Sequence, residues 1–303
     1  MKPKKWIAVL LGIFAAPLAF LYVGIPRWAL LSFGVSLVVG IASFLVPGQR
    51  LLFGVISVVL TVLWIWRVYR FAGQRTFDQQ RAWHSRWYGL VGVLVAVSVV
   101  SVSLRVFLYE PFRIPSSAML PTLPVGANVL VQKWGFGYYG SMGYRLGHGA
   151  ITAPLARGDI LVFDFPVDPS QTYIKRVVGL PGDKIVYRDK HVLVNGVEGR
   201  GKQLDDYLDT ERLAYRKRYR EMLGQTEHDI LLTDGVPSRQ TAGARDLPKA
   251  CTDDGETLSC TVPPASYFVM GDNRDNSLDS RYWGFVPASA VVGKVVYTAM
   301  PRN

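Results

Sequence analysis

The residues of this sequence that could perform chemistry are serines in a Pro-rich turn and a lysine in an alternating strand. Ser116 and Ser117 lie in "IPSSAMLPTL" (114–123), and Lys175 lies in "TYIKRVVGLPGD" (172–183). A lysine amine that is neutral near pH 7 can take a proton from a serine hydroxyl within hydrogen-bond reach. If the chain is a hydrolase, lysine is therefore its candidate general base.

Histidine and metal chemistry have weak support. The histidines are scattered outside any motif, at His84, His148, His191 and His228. The sequence has no Gly-x-Ser-x-Gly elbow and no metal-binding helix motif. Cys251 and Cys260, the only cysteines, have no further Cys or His at zinc-ligand spacing. The two cysteines form either a disulfide, in an oxidising compartment, or a lone redox pair.

Strand alternation decides whether Lys175 can serve as a base. Successive side chains of a strand point to opposite faces, so Lys175 shares its face with Tyr173 and Val177. Burial among such neighbours penalises the charged ammonium and lowers the lysine pKa. A lysine in a strand is ordinarily a surface residue, and that interpretation stays open for this segment taken alone.

A third segment, "MGDNRDNSLDSRYWG" (270–284), packs Gly, Asn, Asp, Ser and Arg between two predicted strands. Side chains of Asn, Asp and Ser bond to their own backbone, so this segment fits a hydrogen-bonded loop with a purely structural role. The same loop is also a place from which a serine hydroxyl could orient a lysine amine.

Four nearly uncharged apolar runs predict a membrane region over residues 1–110. They cover residues 6–25, 28–46, 51–66 and 88–109. A bilayer is spanned by about 20 apolar helical residues. The connecting loop 67–87 holds five arginines and one aspartate, which predicts that it faces the cytoplasm. The last run then carries the chain outward.

The first run conflicts with that orientation, because three lysines near the N-terminus also favour a cytoplasmic location, and four crossings would return the chain inside. Pro17 interrupts the run and Arg27 follows it. We therefore interpret 6–25 as a re-entrant or interfacial helix with both ends in the cytoplasm. The alternative is an outside N-terminus with four crossings.

The sequence after residue 110 predicts a mainly β domain in two parts, 111–196 and 263–303. Short alternating runs punctuated by Gly, Pro, Asp and Asn are typical of strands in a sandwich or barrel. These runs are "NVLVQKW", "GDILVFDF", "TYIKRVVGL", "DKIVYRD", "HVLVNG", "SYFVMGD" and "AVVGKVVYTAM". Residues 197–262 form a charged inserted subdomain, in which "QLDDYLDTERLAYRKRYREML" (203–223) is helical in appearance.

The location of the charges argues against nucleic-acid binding. Residues 1–113 hold 12 Lys and Arg and two acids, 12 minus 2, so they carry +10 of the net charge of +11. The rest of the chain is close to neutral, and a phosphate-binding face is not expected there. Cytoplasmic membrane loops explain the basic excess better.

Three of these segments resemble the signature boxes of bacterial type I signal peptidase, the membrane-anchored serine protease that removes signal peptides from exported proteins. The boxes are "IPSSAMLPTL", "YIKRVVGLPGD" and "GDNRDNSLDSRYWGFVP", and the resemblance covers roughly residues 108–303. It implies a catalytic β-fold on the periplasmic side of the inner membrane, a Ser/Lys dyad, and no metal or cofactor. It also implies precursor signal peptides as partners. Membrane lipid is expected as a second partner, because the apolar segments "FRIP" and "MLPTL" next to a membrane helix could dip into the lipid surface.

The matching boxes imply roles for individual residues. They assign the general base to Lys175, the serine that orients it to Ser277, and an oxyanion-hole hydroxyl to Ser116. Family members bind the end of the signal peptide as an extended strand, with small side chains at the first and third positions before the cut. Candidate pocket residues, equally consistent with core packing, are Ile114, Met119, Leu123 and Tyr173.

Alanine occupies the nucleophile position. The family pattern is Pro-Ser-x-Ser-Met, and Ala118 stands where its second serine belongs. The Ala118 N–H can still donate to an oxyanion, but nothing attacks the carbonyl. Three explanations are open: a deliberate serine-to-alanine exchange, a naturally inactive homologue that binds precursors, or direct use of Ser117.

A one-residue shift reverses the face of a strand, so we expect Ser117 to point away from Lys175. As written, the chain is expected to bind substrate and cleave it very poorly. A self-cleaving regulator that shares the Ser–Lys β-fold is disfavoured by the membrane segments and the exported topology.

Overall fold

The computed structural model describes residues 2–76, 81–141, 143–210, 212–238 and 247–301. The chain divides into two compact units, residues 1–104 with 299–303, and residues 105–298. The first unit is mainly helical and the second is mainly β, which confirms the predicted fold class.

The helices of the first unit are α1 Lys5–Phe14, α2 Ala16–Tyr22, α3 Pro26–Leu45, α4 Arg50–Gln74 and α5 Trp87–Ser103. A π-helical turn, Leu104–Leu108, continues α5. Among the described residues, three segments are long and apolar enough to cross a membrane. They are Pro26–Leu45, Pro47–Gln74 and Trp87–Leu108, with mean hydropathies of 2.1, 2.2 and 2.3.

The first apolar run divides into α1 and α2 at Ala15, whose backbone is extended. Pro17 lies in the first turn of α2, where its missing N–H leaves no helical hydrogen bond unmade. At 10 and 7 residues, each helix is shorter than a membrane span. The re-entrant or interfacial interpretation of 6–25 stays a prediction.

The predicted loop 67–87 is wrong in its first part, because α4 continues to Gln74. Arginine is a good helix former, so the basic residues that favour the cytoplasm do not end the helix. Val68 and Ala72, four residues apart, remain on the buried face. The Arg67 guanidinium lies over the ring of Trp28, 4.1 Å from its centroid, and covers the aromatic surface there.

The strands in chain order are β1 Tyr109–Arg113, β2 Asn128–Gln132, β3 Tyr138–Ser141, β4 Tyr144–His148, β5 Ile160–Phe165, β6 Asp168–Gly179, β7 Lys184–Arg188, β8 His191–Val194, β9 Val197–Glu198, β10 Arg200–Gln203, β11 Tyr207–Asp209, β12 Ala214–Leu223, β13 Thr226–Leu232, β14 Cys251–Asp253, β15 Thr257–Thr261, β16 Ser266–Met270, β17 Val286–Pro287 and β18 Val291–Ala299. Each alternating run named above contains one of these strands. A short helix, α6 Ser280–Trp283, precedes β17.

The main sheet has seven strands in the order β1-β2-β18-β5-β6-β16-β17. A second sheet has the order β14-β15-β7-β8-β9, and β3 pairs with β4 as a hairpin. β10, β12 and β11 form a further sheet, in which β13 also pairs with β12. The central strand β6 thus lies between β5 and β16, and it carries the candidate lysine.

The prediction that the insertion is helical is wrong, because β12 and β13 form an antiparallel hairpin there. The two-residue connection begins with Gly224 at φ +63, a conformation that glycine adopts without strain. The charges that suggested a solvated helix face pair across strands instead, and Arg220 donates to Glu227 and Asp229. Cross-strand pairing outweighs the helix propensity of these residues.

The end of the predicted insertion returns to the second sheet. β14 pairs with β15, β15 pairs with β7, and a disulfide joins Cys251 of β14 to Cys260 of β15. The separate sheet of the insertion therefore covers residues 200–232 rather than the whole of 197–262.

Candidate active site

Lys175 lies in β6 and is buried, with 5% of its surface exposed. Its same-face neighbours Tyr173 and Val177 pack in an apolar cluster with Phe163 and Trp283. The Nζ atom lies 5.5 Å from the centroid of the Tyr173 ring. The face on which alternation placed the lysine is therefore an apolar, buried face.

Burial lowers the pKa of Lys175 to about 8. Desolvation is the largest cause and Arg281 lowers the pKa further, whereas Asp279 and Asp272 raise it. At a pKa of about 8, roughly one amine in ten is neutral at pH 7, against fewer than about one in a thousand for an ordinary lysine. The amine can accept a proton near neutral pH.

The pairing of β6 with β16 sets what lies beside Lys175. The antiparallel register joins Met270 to Arg176. Continued by one residue, the register places Gly271 opposite Lys175. Gly271 begins the segment 271–279, which we call the serine loop. The serine loop thus leaves the main sheet from β16, the strand that pairs with the strand of Lys175.

Gly271 allows the serine loop to approach the turn that contains residue 118. A Cβ atom at Gly271 would lie 2.3 Å from Ser277 Oγ and 2.6 Å from the carbonyl oxygen of Ala118. No side chain fits within these distances, so the approach requires glycine. Ala118 and Ser277, which are far apart in the sequence, therefore meet at Gly271.

The nucleophile position lies in a 3-10 turn, Ser117–Met119. Ala118 is 8% exposed, and its carbonyl accepts from the Asn273 N–H at 3.1 Å. Asn273 Nδ2 also donates to the Ser117 carbonyl at 3.0 Å. Asn273 thus fastens this turn to the serine loop through two hydrogen bonds.

The prediction for Ser117 rested on the wrong local structure. A 3-10 turn has about three residues per turn, so strand alternation does not determine where Ser117 points. Its Oγ instead accepts a hydrogen bond from Asn276 Nδ2 at 2.9 Å. That contact occupies the hydroxyl as an acceptor and holds it toward the serine loop.

Ser277 is fixed by a buried ion pair that sequence reasoning missed. Its Oγ donates to Asp279 Oδ2 at 2.8 Å, and the Gly271 N–H donates to the same oxygen at 3.0 Å. Arg281 donates to both Asp279 oxygens, at 2.8 and 2.9 Å. Burial would raise the pKa of Asp279, but Arg281 and these hydrogen bonds outweigh it and lower the pKa. The carboxylate stays ionised and holds the serine hydroxyl.

The remaining predicted residues divide between surface and core. Ser116 is exposed and has extended backbone geometry ahead of the turn. Tyr173 is partly buried, and its ring stacks on Phe165 at 4.5 Å. The other three pocket candidates belong to one core cluster and are at most 2% exposed: Ile114, Met119 and Leu123. Core packing, the alternative left open above, describes these three, because buried side chains offer a peptide no open surface.

Within the part of the chain that the structure describes, no three His, Cys, Asp or Glu side chains converge as metal ligands. The polar groups near Lys175 are instead neutralised by one another, since Asp279 pairs with Arg281 and Asp272 with Arg176. The chemistry that this arrangement supports is proton transfer by an uncharged amine.

A family model described as "Signal peptidase, peptidase S26" matches residues 86–300. The chain therefore belongs to the bacterial type I signal peptidases. Signal peptidase I of Pseudomonas fluorescens is 40% identical over 220 residues, covering 65% of this chain and 67% of the relative. Signal peptidase I of Buchnera aphidicola subsp. Acyrthosiphon pisum is 36% identical over 225 residues, covering 64% and 68%.

Among solved structures, a signal peptidase I from Enterococcus faecalis V583 is 30% identical and covers 48% of this chain and 98% of its own. Its TM-score of 0.27 is too low to support an argument from superposition. Family membership and the three apolar segments together establish a membrane-anchored protein of signal-peptide processing in the bacterial inner membrane.

Proposed function

We propose that this chain carries the Ser/Lys machinery of a signal peptidase with its nucleophile replaced by Ala118. Lys175 is the general base, Ser277 orients it, and Ser116 lines the oxyanion hole. The observation that carries the proposal is the buried amine of Lys175, with a pKa of about 8. Keeping this lysine buried costs desolvation energy, and a purely structural site would not require a lysine there.

The proposed chemistry is acyl transfer. A serine at position 118 would give its proton to neutral Lys175 and attack the scissile carbonyl. The N–H of residue 118 and the Ser116 hydroxyl would stabilise the oxyanion. The lysine ammonium would then protonate the leaving amine, and water, deprotonated by the same lysine, would release the new carboxylate. With alanine at 118 the first bond is never formed. The chain therefore binds precursor but cleaves it very poorly.

Binding does not depend on the missing hydroxyl. An extended peptide gains affinity from main-chain hydrogen bonds to a strand, and shallow pockets select its side chains. Of the four pocket candidates, Tyr173 is the one with open surface beside Lys175. We propose that the end of a precursor signal peptide lies there as an extended strand. A naturally inactive homologue that binds precursors would use the same contacts.

The deciding experiment is Ala118→Ser, purified in detergent and assayed on a precursor with an Ala-x-Ala site. Cleavage at that site supports the proposal. If the variant folds but does not cleave the precursor, the proposed Ser/Lys machinery is contradicted.

We further propose that the mainly β unit, residues 105–298, faces the periplasm and that membrane lipid surrounds the apolar helices. Support comes from the arginine-rich segment 67–87, which favours the cytoplasm, and from the apolar segment Trp87–Leu108 that follows it. The disulfide between Cys251 and Cys260 also fits an oxidising compartment.

A cysteine accessibility test checks this orientation. Val296→Cys introduces a thiol on β18 at a position that is 45% exposed. We expect a membrane-impermeant thiol reagent to label it in cells whose outer membrane alone is permeabilised. Thr76→Cys is the matched control, because Thr76 is exposed and lies in the segment 67–87 that we propose to be cytoplasmic. It should react only after the inner membrane is opened. The reverse pattern would contradict the proposed orientation.

A further inference from the structure

The inserted hairpin, which is the strand pair β12 and β13, contacts the serine loop through main-chain hydrogen bonds. The Leu231 N–H donates to the Asp272 carbonyl at 2.9 Å, and Leu231 forms a parallel bridge with Asn273. Just after β13, the Thr233 N–H donates to Asp275 Oδ2 at 2.6 Å. The serine loop therefore has a second partner besides the main sheet.

A buried ionic cluster connects the same two elements. Glu221 of β12 is 0% exposed and accepts a hydrogen bond from Arg274 of the serine loop, which is 1% exposed. His228, the cross-strand partner of Glu221 in β13, has its Nε2 atom 3.1 Å from Glu221 Oε2. The same nitrogen lies 3.9 Å from Asp272 Oδ1. The side chains of the cluster are buried, so the charges of Glu221 and Arg274 interact more strongly than exposed charges would.

This cluster is connected to the neighbours of both Lys175 and Ser277. Asp272 accepts from Arg176 at 2.8 and 2.6 Å, and Arg176 follows the general base directly in β6. The Arg274 carbonyl accepts from Arg281 Nη2 at 2.6 Å. Arg281 in turn holds the carboxylate that orients Ser277. One buried carboxylate on the insertion thus compensates the arginine at the centre of the serine loop.

Glu221 is ionised at every working pH. Burial alone would raise its pKa, but Arg274 and His228 outweigh that effect and lower the pKa to about 2. Removing one partner of a buried ion pair leaves the other charge uncompensated, which is far more costly than the loss of an exposed pair. Without the Glu221 charge, Arg274 has to move toward water, and the serine loop has to move with it.

We propose that Glu221 is a positioning residue: the inserted hairpin acts through it and Arg274 to hold the serine loop against residue 118. The consequence for cleavage rests on the proposed Ser/Lys function. The consequence for the loop itself does not, because Asn273 contacts the Ala118 carbonyl in the chain as it stands.

The first test is amide hydrogen exchange on the full chain in detergent, comparing Glu221→Gln with the unaltered protein. We expect exchange at the Gly271 and Asn273 amides to accelerate at least about tenfold, while Val177 in β6 changes less than about twofold. Glu227→Gln, on the same hairpin but 49% exposed, is the matched control and should leave all three unchanged. Unchanged exchange at Gly271 and Asn273 in Glu221→Gln overturns the proposal.

The second test places Glu221→Gln in the Ala118→Ser background and measures precursor cleavage. We expect kcat to fall about 30-fold with KM changed less than about threefold, because the loop acts on the reacting groups rather than on peptide binding. A kcat within about threefold of Ala118→Ser alone overturns the proposal. If Ala118→Ser is itself inactive, the proposed function fails and hydrogen exchange alone decides this inference.

A variant that keeps the charge guards against misfolding. If Glu221→Gln does not fold, Glu221→Asp replaces it in both tests, since it retains the carboxylate but shortens its reach by one methylene. Exchange at Gly271 and Asn273 should then accelerate about threefold. No acceleration in a folded Glu221→Asp protein counts against the proposal.

Discussion

Ala118→Ser should raise the rate of cleavage of an Ala-x-Ala precursor by at least about 10⁴-fold over the unaltered chain. The reason is that the proposed mechanism lacks only the attacking hydroxyl. Lys175 is buried with a pKa of about 8, and Ser277 is held by an ionised Asp279. The new hydroxyl needs only to be added at residue 118, whose backbone is fixed by Asn273.

The control for this gain is Ser117→Ala in the Ala118→Ser background. Ser117 Oγ accepts a hydrogen bond from Asn276, so we do not assign it the attack. The double variant should keep cleavage within about tenfold of Ala118→Ser. Loss of cleavage on removing Ser117, or cleavage by the unaltered chain at the rate of Ala118→Ser, would identify Ser117 as the nucleophile instead.

Lys175→Met in the Ala118→Ser background should return cleavage to the level of the unaltered chain, a loss of about 10⁴-fold. Methionine fills a similar apolar space but has no basic nitrogen, so the serine proton has no acceptor. Single-turnover cleavage of the precursor measures this loss. Cleavage retained to within about tenfold would show that another group is the base.

Unfolding does not explain the loss expected for Lys175→Met. The folded pKa of about 8 lies below 10.5, the ordinary pKa of a lysine in water, so at pH 7 the protonated lysine opposes folding. Removing this charge should stabilise the protein by up to about 3 kcal/mol, a gain that is absent above the unfolded pKa. Lys184→Met, at an exposed lysine of β7, is the matched control and should change neither cleavage nor stability appreciably.

The strands and the buried face of β6 could be predicted from the sequence, because a two-residue apolar period directly reports which side chains face a core. Three membrane segments could be predicted for the same kind of reason, since their length and lack of charge are local properties. Lys175 and Ala118 required more than periodicity. Alternation makes Lys175 a candidate base, but its role and the nucleophile position at Ala118 follow only from resemblance to a family whose boxes are contiguous in sequence.

Buried ion pairs could not be predicted in this way. Arg176 and Asp272 are 96 residues apart in sequence, and nothing local reveals that each neutralises the other. The hairpin of the insertion was missed for a related reason. Its charged residues, such as Arg220, suit a helix face until a partner strand supplies the opposite charges. Fold class follows from local pattern, whereas the electrostatics of the site depends on long-range pairing.

The most direct test of the central claim is a titration of Lys175 in the unaltered chain. Lysine labelled with ¹³C at Cε would be followed by NMR in detergent, and Lys175→Met would identify the resonance by its loss. The account predicts a midpoint near pH 8, because the amine is buried among apolar side chains. A midpoint near 10.5, the value of a lysine in water, would contradict it.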